Sequence, residues 1–114
     1  ATLDFVVAGG DQLAISRVLN YPNPFVNYTE FWFNHNRPFE PLEVQVQVFT
    51  VSGKVVWSHQ QTVVNQGYLS RDIIWDGRDD FGDRIGKGVY VYKLSVRSAL
   101  SGKTAEKYEK LVIL

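Results

Sequence analysis

Residues 88–96 form the segment that most narrows the choice of fold. They read Gly-Val-Tyr-Val-Tyr-Lys-Leu-Ser-Val, with no helix breaker after the glycine. Successive side chains of an extended chain point to opposite faces, so one face carries Tyr90, Tyr92, Leu94 and Val96. Branched and aromatic side chains fit the pleated, half-buried surface of a sheet. The sequence therefore predicts a central β-strand whose tyrosine face lies on the core.

Turn formers divide the rest of the chain into short segments of the same kind. Further strands are predicted at 15–19, 29–34, 43–48, 55–64, 69–75 and 104–114, and residues 3–8 are either a first strand or the tail of a preceding domain. No helical periodicity exceeds about two turns. About seven short strands predict an all-β, Ig-like antiparallel β-sandwich. Its expected core includes Val44, Val46, Val48, Tyr90, Tyr92 and Leu94.

Length and composition limit the kinds of protein this chain can be. Its 114 residues suffice for one domain, expected over 13–114, with residues 1–12 as a linker or the end of a preceding domain. Since the chain begins with Ala1, we expect a fragment of a larger protein. The formal net charge of zero argues against nucleic acid as a partner. The lack of cysteine excludes a disulfide scaffold, a thiolate zinc site and a cysteine nucleophile in this segment.

Several motifs occur together in an order that resembles a known family. They are Tyr-Pro-Asn-Pro-Phe at 21–25, Val-Gln-Val-Phe at 46–49 followed by Gly53, Trp-Asp-Gly at 75–77 followed by Asp80 and Gly82, Gly-Val-Tyr at 88–90, and Lys-Leu-Val-Ile-Leu at 110–114. The combination resembles the C-terminal Ig-like domains of type IX secretion system proteins of Bacteroidetes. The Trp-Asp-Gly to Gly-Val-Tyr half also resembles the Ig-like module of the flagellar hook-capping protein. Within the family, the long Asp-rich turn and the ending are most similar to those of the gingipain-like sortase.

This resemblance implies a function and a location. The domain is expected to be a secretion signal, recognised by outer-membrane type IX components while its parent passes through the periplasm to the cell surface. The segment itself is not expected to be an enzyme, although the parent chain is expected to be the system's cysteine-peptidase sortase. No cofactor, metal, nucleic acid or small-molecule substrate is expected. The alternatives are a structural Ig-like spacer and a carbohydrate-binding module of a surface protein.

The acidic turn and the two histidines are the remaining candidates for chemistry. Asp76, Asp79, Asp80 and Asp83 are potential calcium ligands, but their spacing is not that of an EF-hand. Asp side chains also bond to the backbone of tight turns, and this role is expected for Asp76 and Asp80. Without a partner nucleophile, His35 and His59 are expected to be solvated residues at strand ends.

The aromatic residues and the terminal strand each allow two interpretations. The aromatic set is either a carbohydrate platform or core filling, and the latter is the more common role; it comprises Phe31, Trp32, Phe33, Trp57 and Trp75. Tyr21 and Phe25 are expected to pack against the core. The last strand is either an ordinary strand or a docking strand, since unpaired edge groups can add a further strand or allow self-association.

The aliphatic run in the last strand predicts a recognition site. Four consecutive aliphatic residues imply that both strand faces are covered, one by the core and the other by a neighbouring domain, a second copy or a receptor. Lys107 and Lys110 precede the run and are expected to orient docking by charge. The candidate recognition residues are Lys110, Leu111, Val112, Ile113 and Leu114.

Overall fold

The computed structural model describes residues 12–114 as an all-β structure. Its seven strands are β1 (Ile15–Tyr21), β2 (Thr29–His35), β3 (Leu42–Phe49), β4 (Val55–Val63), β5 (Leu69–Trp75), β6 (Gly88–Ser98) and β7 (Thr104–Ile113). All six predicted strands in this region and the predicted central strand are confirmed, with bounds that shift by a few residues. The alternatives for residues 3–8 lie outside the described residues. No helix able to cross a membrane occurs between residues 12 and 114.

The strands form two antiparallel sheets that face each other. One sheet has the order β1-β2-β5 and the other the order β4-β3-β6-β7. This arrangement confirms the predicted Ig-like sandwich. Strand β6 lies between β3 and β7, so that Tyr92 is opposite Val48 on one side and Glu109 on the other. The predicted central strand is therefore central in the larger sheet.

Aromatic side chains from both sheets fill the middle of the core. The ring of Phe31 in β2 lies 4.9 Å from that of Tyr92 in β6, and Trp75 lies 5.1 Å from Trp57. The predicted burial is confirmed for Val44, Val46, Val48, Tyr92 and Leu94. Tyr90 is only half-buried, because it lies near the end of the sandwich, where its hydroxyl donates to the Gly86 carbonyl at 2.8 Å.

The connection between β1 and β2 partly differs from its prediction. Phe25 is 2% exposed and belongs to the core, as expected. Tyr21 is 61% exposed instead, because it lies on the outer face of β1 and contacts the Trp32 ring at a centroid distance of 5.5 Å. The guanidinium of Arg71 lies 4.3 Å from the same indole ring. The outward aromatic residue of β2 is thus covered by side chains of its own sheet.

The phenol of Tyr92 is a polar group buried in the core of the sandwich. Its hydroxyl has no hydrogen-bond partner among residues 12–114. Burial raises the pKa of this phenol above its usual value of 10.0, and the nearby Glu109 carboxylate adds to the shift. A folded-state pKa above the unfolded one means that the unfolded chain releases this proton first as the pH rises. The folded state therefore loses stability once the pH exceeds about 10.

We expect Tyr92→Phe to leave the free energy of unfolding at neutral pH unchanged or to raise it by up to about 1 kcal/mol, because the hydroxyl is buried without a partner. Above pH 10 the wild-type phenol costs about 1.4 kcal/mol of stability per pH unit, and the variant lacks this loss. Urea unfolding followed by circular dichroism at neutral and alkaline pH measures both effects. Tyr108→Phe, at an exposed tyrosine, is the matched control. An equal loss of unfolding free energy above pH 10 in the wild type, Tyr92→Phe and Tyr108→Phe would contradict the prediction.

Candidate functional site: the terminal strand and its surroundings

The candidate recognition residues lie on opposite faces of β7. Leu111 is fully buried and Ile113 is 6% exposed, so both belong to the core. Lys110 is exposed and Val112 half-buried on the outer face, while Leu114 is 58% exposed just after the strand. The core covers one face of the run, as predicted. What covers the other face stays a prediction, since no layer of residues 12–114 lies over it.

The outer edge of the terminal strand is paired with the connection between β1 and β2. The amide of Phe25 donates to the Val112 carbonyl at 3.1 Å, and the amide of Leu114 donates to the Phe25 carbonyl at 2.9 Å. The side chain of Asn23 bonds at the same edge. Its Oδ1 accepts from the Val112 amide at 3.0 Å and its Nδ2 donates to the Lys110 carbonyl at 3.4 Å. We call these contacts the Asn23–Phe25 clamp.

The clamp also brings a third sequence motif to the same place. The Phe25 ring packs edge-on against Trp75, with ring centroids 5.8 Å apart. A Cβ on Gly77 would lie 3.4 Å from Cε2 of Phe25, and the φ of 78° at Gly77 is one that other residues rarely adopt. The motifs at 21–25, 75–77 and 110–114 therefore meet at one end of the sandwich. Among residues 12–114, backbone bonds to the outer edge of β7 occur at 110–114, and none is made at 104–109.

The acidic turn bonds to the backbone, as predicted for two of its residues. Oδ1 of Asp76 accepts from the Arg78 amide at 3.2 Å, and Oδ1 of Asp80 accepts from the Ser58 amide in β4 at 3.1 Å. Asp79 has a similar role that the sequence analysis missed, since its Oδ1 accepts from two amides of the turn at 2.9 Å. Within residues 12–114 no three ligating side chains cluster as a metal site would require.

Neither histidine is the solvated strand-end residue that was expected. His35 is buried at the end of β2 because it continues the inward alternation of that strand. Its Nδ1 accepts from the Arg37 amide at 3.1 Å, which makes Nε2 the donor to Oδ1 of Asn65 at 3.0 Å. His59 lies in the middle of β4, where it stacks on Trp57 and bonds to Gln61. Both imidazole rings are therefore held by structural partners, and neither of these hydrogen bonds joins a histidine to a nucleophile.

The aromatic set does not form one exposed platform. Phe31, Phe33 and Trp75 are buried, which confirms the core interpretation for them. Trp57 is half-buried and stacked in the core, and Trp32 is the one member of the set on the outer face of the smaller sheet, where Tyr21 and Arg71 cover it. These five residues therefore do not form the flat row of exposed rings that a carbohydrate platform needs.

The outer face of the larger sheet carries an apolar patch that the sequence analysis missed. Opposite residues of antiparallel strands point to the same face, so Val91 has Phe49 and Lys110 as neighbours, while Val89 lies beside Val112 and Lys93 beside Tyr108. Val51, in the turn after β3, adjoins them and is 76% exposed. We call this surface the basic–apolar face; it consists of Phe49, Val51, Val89, Val91, Lys93, Tyr108, Lys110 and Val112. Two of the candidate recognition residues belong to it.

Comparison with known proteins identifies similar solved structures. No protein-family model and no curated protein sequence matches the chain. The crystal structure of dimeric latent PorU from Porphyromonas gingivalis matches 98% of the chain with a TM-score of 0.74 and 26% identity. PorZ, a surface component of the type IX secretion system of the same organism, matches 86% with a TM-score of 0.43 and 18% identity. The chain spans 10% of the PorU chain and 11% of the PorZ chain, and the PorU match is consistent with a non-catalytic segment.

We expect Asn23→Ala to loosen the terminal strand, because both side-chain bonds of the Asn23–Phe25 clamp are lost. The free energy of unfolding should fall by about 1 kcal/mol, and hydrogen exchange at the Val112 amide should accelerate about tenfold. Asn27→Ala is the matched control, at an exposed asparagine of the same connection. Unchanged exchange at Val112 in the Asn23 variant would show that the clamp does not hold the strand.

We expect calcium titration to release no heat of binding, because the acidic side chains already accept backbone bonds. Asp79→Ala should lower the free energy of unfolding by about 1–2 kcal/mol, in calcium and in chelator alike. Asp79→Asn retains an acceptor oxygen and should lose less. Micromolar affinity for calcium, or a stabilisation by calcium that Asp79→Ala removes, would overturn this interpretation.

Proposed function

We propose that the domain is a secretion signal of the type IX system, recognised at the outer membrane while its parent protein is exported through the periplasm to the cell surface. The observation that carries this proposal is the match to PorU over 98% of the chain with a TM-score of 0.74. PorU is a sortase of type IX secretion. The meeting of three family motifs at the Asn23–Phe25 clamp supports the same assignment, since the motifs then share one structural role.

The parent protein that this similarity favours is the system's cysteine-peptidase sortase. The match to PorU and the long acidic turn at 76–83 support this choice. The nucleophile and base of such a peptidase would belong to another part of the parent, because this segment has no cysteine and both of its histidines have structural partners. The domain's own role in that protein is targeting.

The recognition residues divide into two groups with different tasks. Leu111 and Ile113 belong to the core. Their removal would therefore unfold the end of the sandwich and also remove any signal that the segment carries. Lys110 and Val112 point away from the core and Leu114 is exposed, so a receptor can reach them without unfolding the domain. Recognition is therefore assigned to Lys110, Val112 and Leu114. A receptor that added a strand at 110–114 would first have to displace the Asn23–Phe25 clamp.

We expect the parent protein to accumulate in the periplasm of its own cells when residues 110–114 are removed, and also when Lys110→Glu and Val112→Glu are combined. The double change reverses a charge and adds another on the outer face, while Leu111 and Ile113 stay in the core. Trp32→Ala, on the outer face of the other sheet, should not affect export. Cell fractionation with antibody detection measures the location of the parent.

Limited proteolysis of the periplasmic parent separates a lost signal from unfolding. The double variant should remain as resistant as the wild type, whereas the truncated protein should be cut faster because it lacks two core residues. Surface display of the double variant at the wild-type level would refute the assignment of the signal to these residues. A structural spacer would give that result, so the same measurement discriminates between the two functions.

A further inference from the structure

The basic–apolar face carries two lysines on neighbouring strands. Lys93 and Lys110 flank Val91 and Tyr108 on neighbouring strands. Neither forms an ion pair with a carboxylate of residues 12–114; the ion pairs in that range join Arg37 to Glu40, Arg71 to Glu30, Arg78 to Asp76, and Arg97 to Glu43. The half of the face around Val91 thus carries two lysines that form no ion pair within residues 12–114.

Two carboxylates lie on the same side of the larger sheet. Glu106 is opposite Ser95 and therefore diagonal to Lys93, as Lys110 is on the other side of Tyr108. Glu43 is opposite Arg97 and is bonded to it at 2.8 Å. An incoming carboxylate is therefore favoured most beside Lys110, which has no carboxylate opposite or diagonal to it on β6.

The apolar part of the face includes a groove of a size that suits a side chain. The groove has a volume of about 280 Å³ and is lined by Phe49, Thr50, Val51, Gly53, Val91 and Tyr108. A single large apolar side chain of a partner protein, buried in such a groove, is typical of an interface anchor.

From these observations we infer that the basic–apolar face docks an acidic, apolar segment of a partner protein. One aromatic or branched aliphatic side chain of the segment enters the groove between Val51 and Tyr108. Carboxylates beside that anchor pair with Lys93 and Lys110. This inference deepens the proposed function and rests on it for the identity of the partner, an outer-membrane component of the export machinery. The chemistry of the segment follows from the face alone.

A second copy of the domain and an anionic membrane are the two other occupants to consider. In a symmetric dimer the lysines can meet other residues of the copy, and exposed Val51 and Tyr108 can contact a bilayer. The groove, which accepts one projecting side chain, favours a protein segment. The cross-linking experiment distinguishes the three occupants.

Site-specific photo-cross-linking of the parent protein in its own cells tests the inference. A photoreactive phenylalanine derivative replaces Tyr108 or, in a second variant, Val89; both sites are about half exposed on the basic–apolar face. The control replaces Tyr21, which is 61% exposed on the other sheet. Mass spectrometry then reads the sequence of the segment attached to each site. We expect both face sites to attach to one protein segment with an excess of carboxylates and at least one large apolar residue, and the control site to leave it unlabelled.

Charge reversal then tests the role of the lysines. Lys93→Glu, in the Tyr108 cross-linking variant, should reduce the product at least about fivefold. Lys103→Glu makes the same change of charge in the exposed turn after β6 and should leave the yield unchanged. A product with lipid, with a second copy of the parent or with a segment lacking excess carboxylates would overturn the inference, as would no product at both sites or equal yields in the two lysine variants.

The two proposals can fail separately in these experiments. If export survives Lys110→Glu with Val112→Glu while the acidic segment is still cross-linked, the secretion-signal proposal fails and the docking chemistry stands. If export is blocked but the cross-linked segment is not acidic, the docking chemistry fails and the signal proposal stands.

Discussion

The pairing of the terminal strand with the connection between β1 and β2 is the constraint on which this end of the sandwich depends. The backbone bonds between Phe25 and the residues around Val112 link a strand of the larger sheet to a connection of the smaller one. They also hold the Phe25 ring against Trp75, in the space that the absent side chain of Gly77 leaves. An open strand edge is a general template for adding another strand. Because the clamp closes this edge, any specific recognition of 110–114 in the folded domain has to use side chains.

The alternation of apolar and polar residues with a period of two was enough to predict the sandwich. Each strand buries one face, and this burial selects apolar residues at every second position. Val46 and Tyr92 could be assigned to the core from their immediate neighbours alone. The burial of His35 was missed because the predicted strand ended one residue too early, and continuing the alternation from Phe33 would have found it. The exposure of Tyr21 has another cause. Its position before a proline indicated a kinked connection, whereas the residue still belongs to β1 and points outward.

Contacts between distant parts of the chain were the part that the sequence could not predict. Asp80 was expected to bond to backbone, but nothing near it in the sequence indicates that the partner is Ser58 in β4. The basic–apolar face shows the same limit more clearly. Val91, Lys93 and Lys110 were visible as outward residues of their strands, but the apolar neighbours come from β3 and β7. Their proximity depends on strand order and register, which long-range packing determines.

The division of β7 into an inner and an outer face would let a short segment serve both the fold and the recognition that we propose. In a strand, neighbouring residues face opposite sides, so Leu111 and Ile113 can be chosen for the core while Lys110 and Val112 remain free to vary with a partner. A partner that paired with the strand edge would read mainly backbone, which every sequence shares. A partner on the sheet face contacts a valine, a lysine and a groove together. Its affinity then depends on side chains and falls for surfaces that carry the wrong charge. Removing the whole segment would remove two core residues together with the proposed recognition residues, so only substitutions on the outer face can test the recognition separately from folding.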